Sequence, residues 1–186
     1  MVPIHALWLP ILLSAVIVFI ASSIIHMVLP VHKSDYRKLP DEEKALDTLR
    51  ATGVTPGREY RFPFCTPNEM KTPEGIEKMK RGPVGLLVVM PNGAMNMGKF
   101  LGQWFLYCVV VSIFAAYLTG RTRPSGSEYL EVFRVAGTTA FLGYSLAQAQ
   151  NSIWRGVTWG VTLKHMLDGL IFGLLTGGTF GWLWPK

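Results

Sequence analysis

Lys164, His165 and Asp168 stand inside an otherwise apolar segment that runs from Trp154 to Trp184. Ionisable groups in such a segment are expensive in lipid, so they normally face a protein interior or a wet cavity. His165 and Asp168 are three residues apart, which on a helix puts both side chains on one face. An imidazole and a carboxylate presented together suit zinc, iron or manganese. His26, from a separate apolar segment, is the expected third donor, with His32 at the rim. The candidate metal ligands are therefore His26, His165 and Asp168. No HExxH or ExxH motif fixes their geometry, so the same groups also suit a proton or substrate path.

Further polar residues lie at matching depth in the other apolar segments. Ser22 is one helical turn from His26, Gln103 stands alone, and Tyr144, Gln148 and Asn151 form one stripe at spacings four and three. At about 1.5 Å per residue, His26 lies roughly 6–8 Å inside the end of its segment. Ser22, Gln103, Tyr144, Gln148, Asn151 and Lys164 thus define an expected polar cluster between helices, open toward the loop that follows the first segment. The ordinary alternative is that such groups glue helices together, at about 0.6–2 kcal/mol each. Lys164 would then snorkel to the interface along its own stem or pair with Asp168 one turn away.

Four elements must position these residues. Apolar segments at 6–29, 99–119, 134–154 and 160–184 read as transmembrane helices, each near the roughly 20 residues a bilayer requires. The first is expected to be a retained anchor, since no basic residue precedes it and its apolar core exceeds the roughly 7–15 residues of a leader. Gly169, Gly173, Gly177 and Gly181 recur at every fourth position of the last helix. A row of that kind lets another helix pack backbone-close. The partner would be the first or third span, or a second protomer in a homo- or hetero-oligomer.

Residues 31–97 are polar and read as a small α+β module: a helix near 41–50, a strand near 58–64, a second helix opened by Thr72-Pro73-Glu74 and closed at Gly82-Pro83, and a buried strand over 84–90. So small a core needs support from the membrane domain or a partner. Basic residues near the span ends favour a cytoplasmic position for loop 31–97. The net charge of +6 comes with no aromatic-interleaved basic patch, so no nucleic-acid partner is expected. Two cysteines, Cys65 in the loop and Cys108 within a span, form no disulfide framework. No nucleophile arrangement or cofactor motif stands out.

The stretches His32-Lys33-Ser34-Asp35-Tyr36, Met90-Pro91-Asn92-Gly93 and Gly178 to Pro185 resemble those of small bacterial multi-pass membrane proteins with no known activity. The resemblance implies a bacterial inner membrane as the location and carries no site with it. The leading expectation is a non-enzymatic accessory or partner-binding subunit in the lipid bilayer. The alternative is a small ion, proton or metal transport or metal-handling protein that uses the polar cluster.

Overall fold

The computed structural model describes residues Met1–Lys186. The chain divides into two compact units, Met1–Asp35 with Asn96–Lys186, and Tyr36–Met95.

The first unit is helical. A 3-10 turn at Ile4–Leu7 leads into α1 (Trp8–Ser23), which widens into a π turn at Ile24–Val28. Numbering helices through the whole chain, α4 covers Met97–Thr122, α5 Tyr129–Tyr144, α6 Ala149–Arg155 and α7 Trp159–Trp182. The interior is built from small residues. Ala15, Ala115, Ala116, Ala136 and Ala140 are fully buried, with Phe180, Leu7 and Val18 as the larger fillers. Large apolar side chains point outward instead, among them Leu12, Ile20, Leu106, Phe114, Leu167 and Leu174.

The glycine row of α7 packs against α5, the most extensive helix pair in the molecule. A methyl group at Gly169 would stand 2.7 Å from the Ser145 Cβ, and one at Gly177 would stand 2.8 Å from the Phe133 carbonyl oxygen. Gly173 meets Gly137 and Phe141, and Gly181 meets Tyr129. Of the partners expected for this row, the third span of the same chain is the one it meets.

The four-span expectation is met in part. Two helical stretches, Ile4–Val28 and Met97–Thr122, are long and apolar enough to cross a membrane. The third expected span is interrupted: α5 ends at Tyr144, Ser145 caps it with φ −118° and ψ −60°, and a 3-10 turn at Leu146–Gln148 precedes α6. The break lies at the crossing with α7. Ser145 Oγ–H donates to the Met166 carbonyl at 2.9 Å, beside the tight approach of Gly169. The fourth, α7, carries Lys164 and Asp168 in its first half.

The second unit follows the expected order. α2 (Glu42–Ala51) begins where Asp41 caps the Lys44 N–H, and α3 (Pro73–Arg81) begins where Thr72 caps the Gly75 N–H. Strands β1 (Arg58–Phe62) and β2 (Gly85–Val89) pair antiparallel, with Tyr60 opposite Leu87. The expected burial of β2 does not hold: Val88 is 55% exposed. A two-stranded sheet has too little area to enclose a core, and only Cys65 and Gly75 of this unit are buried.

Candidate metal centre

A sharp turn brings the first two imidazoles together. The π turn closes with the Leu29 N–H on the Ile24 carbonyl at 3.0 Å. Leu29 precedes a proline, whose ring disfavours helical geometry at the residue before it. Leu29 accordingly takes an extended conformation, φ −78° and ψ 145°. Pro30 then opens a 3-10 turn, Pro30–His32. The chain folds back so that His32 stacks on His26, with ring centroids 4.4 Å apart and planes within 5°. His165 arrives from α7, its ring 4.8 Å from that of His32.

Asp168 is the meeting point. Its Oδ2 lies 2.9 Å from His32 Nε2, 3.8 Å from His26 Nε2 and 3.8 Å from His165 Nδ1. The ligating atoms of His26, His32, His165 and Asp168 all lie within 4.8 Å of one another. Two ligands at 2.0–2.1 Å from a tetrahedral zinc stand roughly 3.3 Å apart, and the observed separations from Asp168 bracket that value.

The outer contacts orient the rings. His26 Nδ1 is 3.0 Å from the Ser22 carbonyl, so it donates there and leaves Nε2 as a lone pair. His32 Nδ1 is 2.6 Å from Asp35 Oδ2, and the carboxylate can only accept, so again Nε2 is left as a lone pair. A metal-ligating histidine characteristically uses its second nitrogen in this way. His32 Nε2 and Asp168 Oδ2 are both buried and make no aligned hydrogen bond, to each other or to any other group. With His32 neutral, two acceptor lone pairs face each other at 2.9 Å and repel, and a cation between them, a metal ion or a proton on Nε2, relieves the repulsion.

Asp35 is itself held firmly. Lys164 Nζ donates to its Oδ1 at 2.6 Å, and also to Ser34 Oγ at 3.1 Å and the Val31 carbonyl at 2.9 Å. Burial alone would raise the Asp35 carboxyl, but hydrogen bonds from Lys164 and His32, with the positive charge of Lys164, outweigh it and hold the group below its ordinary range. Lys164 therefore neither snorkels freely nor pairs with Asp168. It anchors the carboxylate behind His32.

The expected polar cluster divides. Ser22 accepts from Trp104 Nε1–H at 2.7 Å and donates to the Phe19 carbonyl at 2.9 Å. Tyr144 donates to the Cys108 carbonyl at 3.4 Å, and Gln148 accepts from Asn151 at 2.9 Å. Gln103 is exposed, and Trp104, the next residue, takes the inward place. A cleft of about 510 Å³ lies beside the cluster, lined by His26, His165 and Asp168 and, farther along, by Leu101, Trp104 and Phe172. A cleft of about 560 Å³ within the module, lined by Phe62, Lys78 and Arg81 among others, holds none of the four ligating residues.

His32 belongs at the centre of the arrangement rather than at its rim, and Asp35 went unnoticed in the sequence. The signal was present. Pro30 forces a turn two residues before His32, and His32-x-x-Asp35 has the spacing at which the two side chains of such a turn meet. The fold and site together define a small helical bundle carrying a histidine–carboxylate cluster. No family model, curated protein or solved structure matches this chain.

Proposed function

We propose that this chain is a four-helix integral membrane protein that holds one divalent first-row transition metal, with His26, His32, His165 and Asp168 as ligands. One observation carries the reading: two buried polar atoms, His32 Nε2 and Asp168 Oδ2, converge without an aligned hydrogen bond, while the far sides of His26 and His32 are tied by a carbonyl and a carboxylate. Nitrogen and carboxylate donors in this ratio suit zinc, iron or manganese, and they exclude the soft all-sulfur sets. The membrane assignment rests on the two long apolar helices, the small-residue interior and the outward large apolar side chains of α7, including Leu163, Leu167 and Leu174. At about 1.5 Å per residue, α7 extends about 36 Å, enough for a hydrocarbon core of about 30 Å. In a bacterial inner membrane the ligand end would face the cytoplasm.

Elemental analysis of the full chain, purified in a maltoside detergent, tests this. The wild type retains close to one metal ion per chain, and Asp168→Asn retains none while keeping its helical circular dichroism. A wild type that carries no metal above background, and takes up none when zinc, iron or manganese is supplied, overturns the reading.

A second reading, a partner-binding accessory subunit, is supported by the second unit. Phe64 is 70% exposed, and Val84, Val88 and Ile76 are also open. Crosslinking in native membranes tests it: a discrete adduct through residues 62–88 is expected, and a chain that crosslinks to nothing opposes it.

A further inference from the structure

We infer that the metal centre binds the head of a membrane amphiphile, a molecule with one anionic oxygen group and an alkyl or isoprenyl chain. This rests on the metal reading above and adds a ligand to it.

Three features of the cleft support it. First, His26, His165 and Asp168 are both ligating residues and cleft walls, so a bound metal would open directly onto the cleft. His32 is not a wall and holds the metal from behind, braced by Asp35. A metal that takes a fifth or sixth ligand, as iron or manganese does, would therefore turn the positions that the four side chains leave free toward the cleft.

Second, apart from the Gln148 amide N–H groups, the polar atoms of the cleft wall away from the ligands are already used. Trp104 Nε1–H is bonded to Ser22, the Ser23 hydroxyl to the Phe19 carbonyl, and the Tyr144 hydroxyl to the Cys108 carbonyl. What remains is the aromatic and aliphatic surface of Leu101, Trp104 and Phe172. The volume of about 510 Å³ lies within the roughly 300–1,000 Å³ of small-molecule clefts. A chain rather than a compact polar solute matches that lining.

Third, the exposed part of the lining is mostly apolar. Met27, Met97 and Phe100 are 68%, 52% and 41% exposed, with His26 the exposed polar side chain among them. A water-soluble ligand would have to cross that rim, whereas a lipid would not leave its own environment. The charge is also directional. Asp35 and Lys164 cancel as an ion pair, so a divalent metal with Asp168 leaves one net positive charge at the head position. An anionic oxygen, carboxylate or phosphate, neutralises it.

The test uses the full chain in maltoside detergent with cobalt(II) in place of the native metal, because cobalt reports its coordination by visible absorption. Dodecanoate and dodecyl phosphate are titrated separately, beside dodecanol, acetate and inorganic phosphate at equal concentration. The two anionic amphiphiles are expected to change the cobalt spectrum, and whichever of them saturates at the lower concentration identifies the head. Dodecanol, acetate and inorganic phosphate are expected to leave it unchanged. Leu101→Trp narrows the cleft away from the ligands. It should keep one cobalt per chain and weaken the amphiphile by about tenfold or more.

The possible failures separate. A chain that takes up no cobalt sinks the metal reading and this proposal with it. A cobalt-loaded chain that responds to none of the ligands leaves the metal reading standing and overturns the proposal. Equal responses to acetate or inorganic phosphate overturn it in favour of a small-anion site. An undiminished response in Leu101→Trp, with Phe172→Trp giving the same result, also overturns it.

Discussion

The two halves of α7 meet their neighbours by opposite means. From Gly169 onward the helix turns a row of glycines to α5, with Phe172, Thr176 and Phe180 buried beside the row, and α5 comes within van der Waals distance of its backbone. Before Gly169 it offers Lys164, His165 and Asp168, and the neighbouring turn at Pro30–His32 answers with side chains of its own. One half gains its contact energy from close packing over a long seam. The other depends on a few directional polar contacts, two of whose atoms remain without partners. The seam therefore determines whether the bundle forms, and the polar half determines what it can hold.

Four substitutions separate the halves. The largest effect is expected from Gly177→Leu. Its new side chain would meet the Phe133 carbonyl and the Gly137 backbone, neither of which can move aside without parting the helices. Overpacking of this kind costs about 1–3 kcal/mol or more, so thermal unfolding followed by circular dichroism in detergent should fall to a lower temperature, with metal lost as a consequence. A variant that unfolds like the wild type would show that α5 does not depend on the glycine.

His32→Ala should act in the opposite manner. It removes a ligand and leaves the seam intact, so metal content falls to background while the helical signal persists. Collapse of the helical signal to the extent seen in Gly177→Leu would erase the distinction between the halves.

Asp35→Asn is milder. The ring of His32 loses its anionic partner but remains in place, and loss of such an outer contact typically costs about 10–100-fold in metal affinity. Competition with a chelator of known affinity measures it, and an unchanged affinity would remove Asp35 from the centre.

The smallest change is expected from Ser14→Ala, which breaks the buried hydrogen bond between Ser14 and Ser112 at 3.0 Å that joins α1 to α4. A loss of about 0.6 kcal/mol in stability, as is usual for hydrogen bonds between membrane helices, should leave metal content untouched. Any drop in metal would mean that the two halves communicate through α1.

Much of this architecture is legible along the chain because it depends on local rules. The spacing of Gly169, Gly173, Gly177 and Gly181 announces a backbone-close contact. Asp41 and Thr72-Pro73 announce the helix starts of the module, through capping and the fixed φ of proline. The joint inward placement of His165 and Asp168 follows from helical periodicity alone.

Other features depend on which surfaces meet, and no single segment contains that information. The seam partner is α5 because Gly137 lies opposite Gly173 and Gly177, a match between two distant stretches. The third helix breaks at Ser145, where α7 makes a close approach through Gly169 and takes a hydrogen bond from Ser145. Lys164 pairs with Asp35 rather than with Asp168 because the Pro30 turn carries Asp35 across to α7. The sequence by itself determined the His165–Asp168 pair, the glycine face and the helix starts of the module, since each arises from covalent geometry and neighbours a few residues away. Only the tertiary structure decided that three imidazoles and one carboxylate converge, because a chain turn and a helix crossing must act together to place His32 Nε2 beside Asp168.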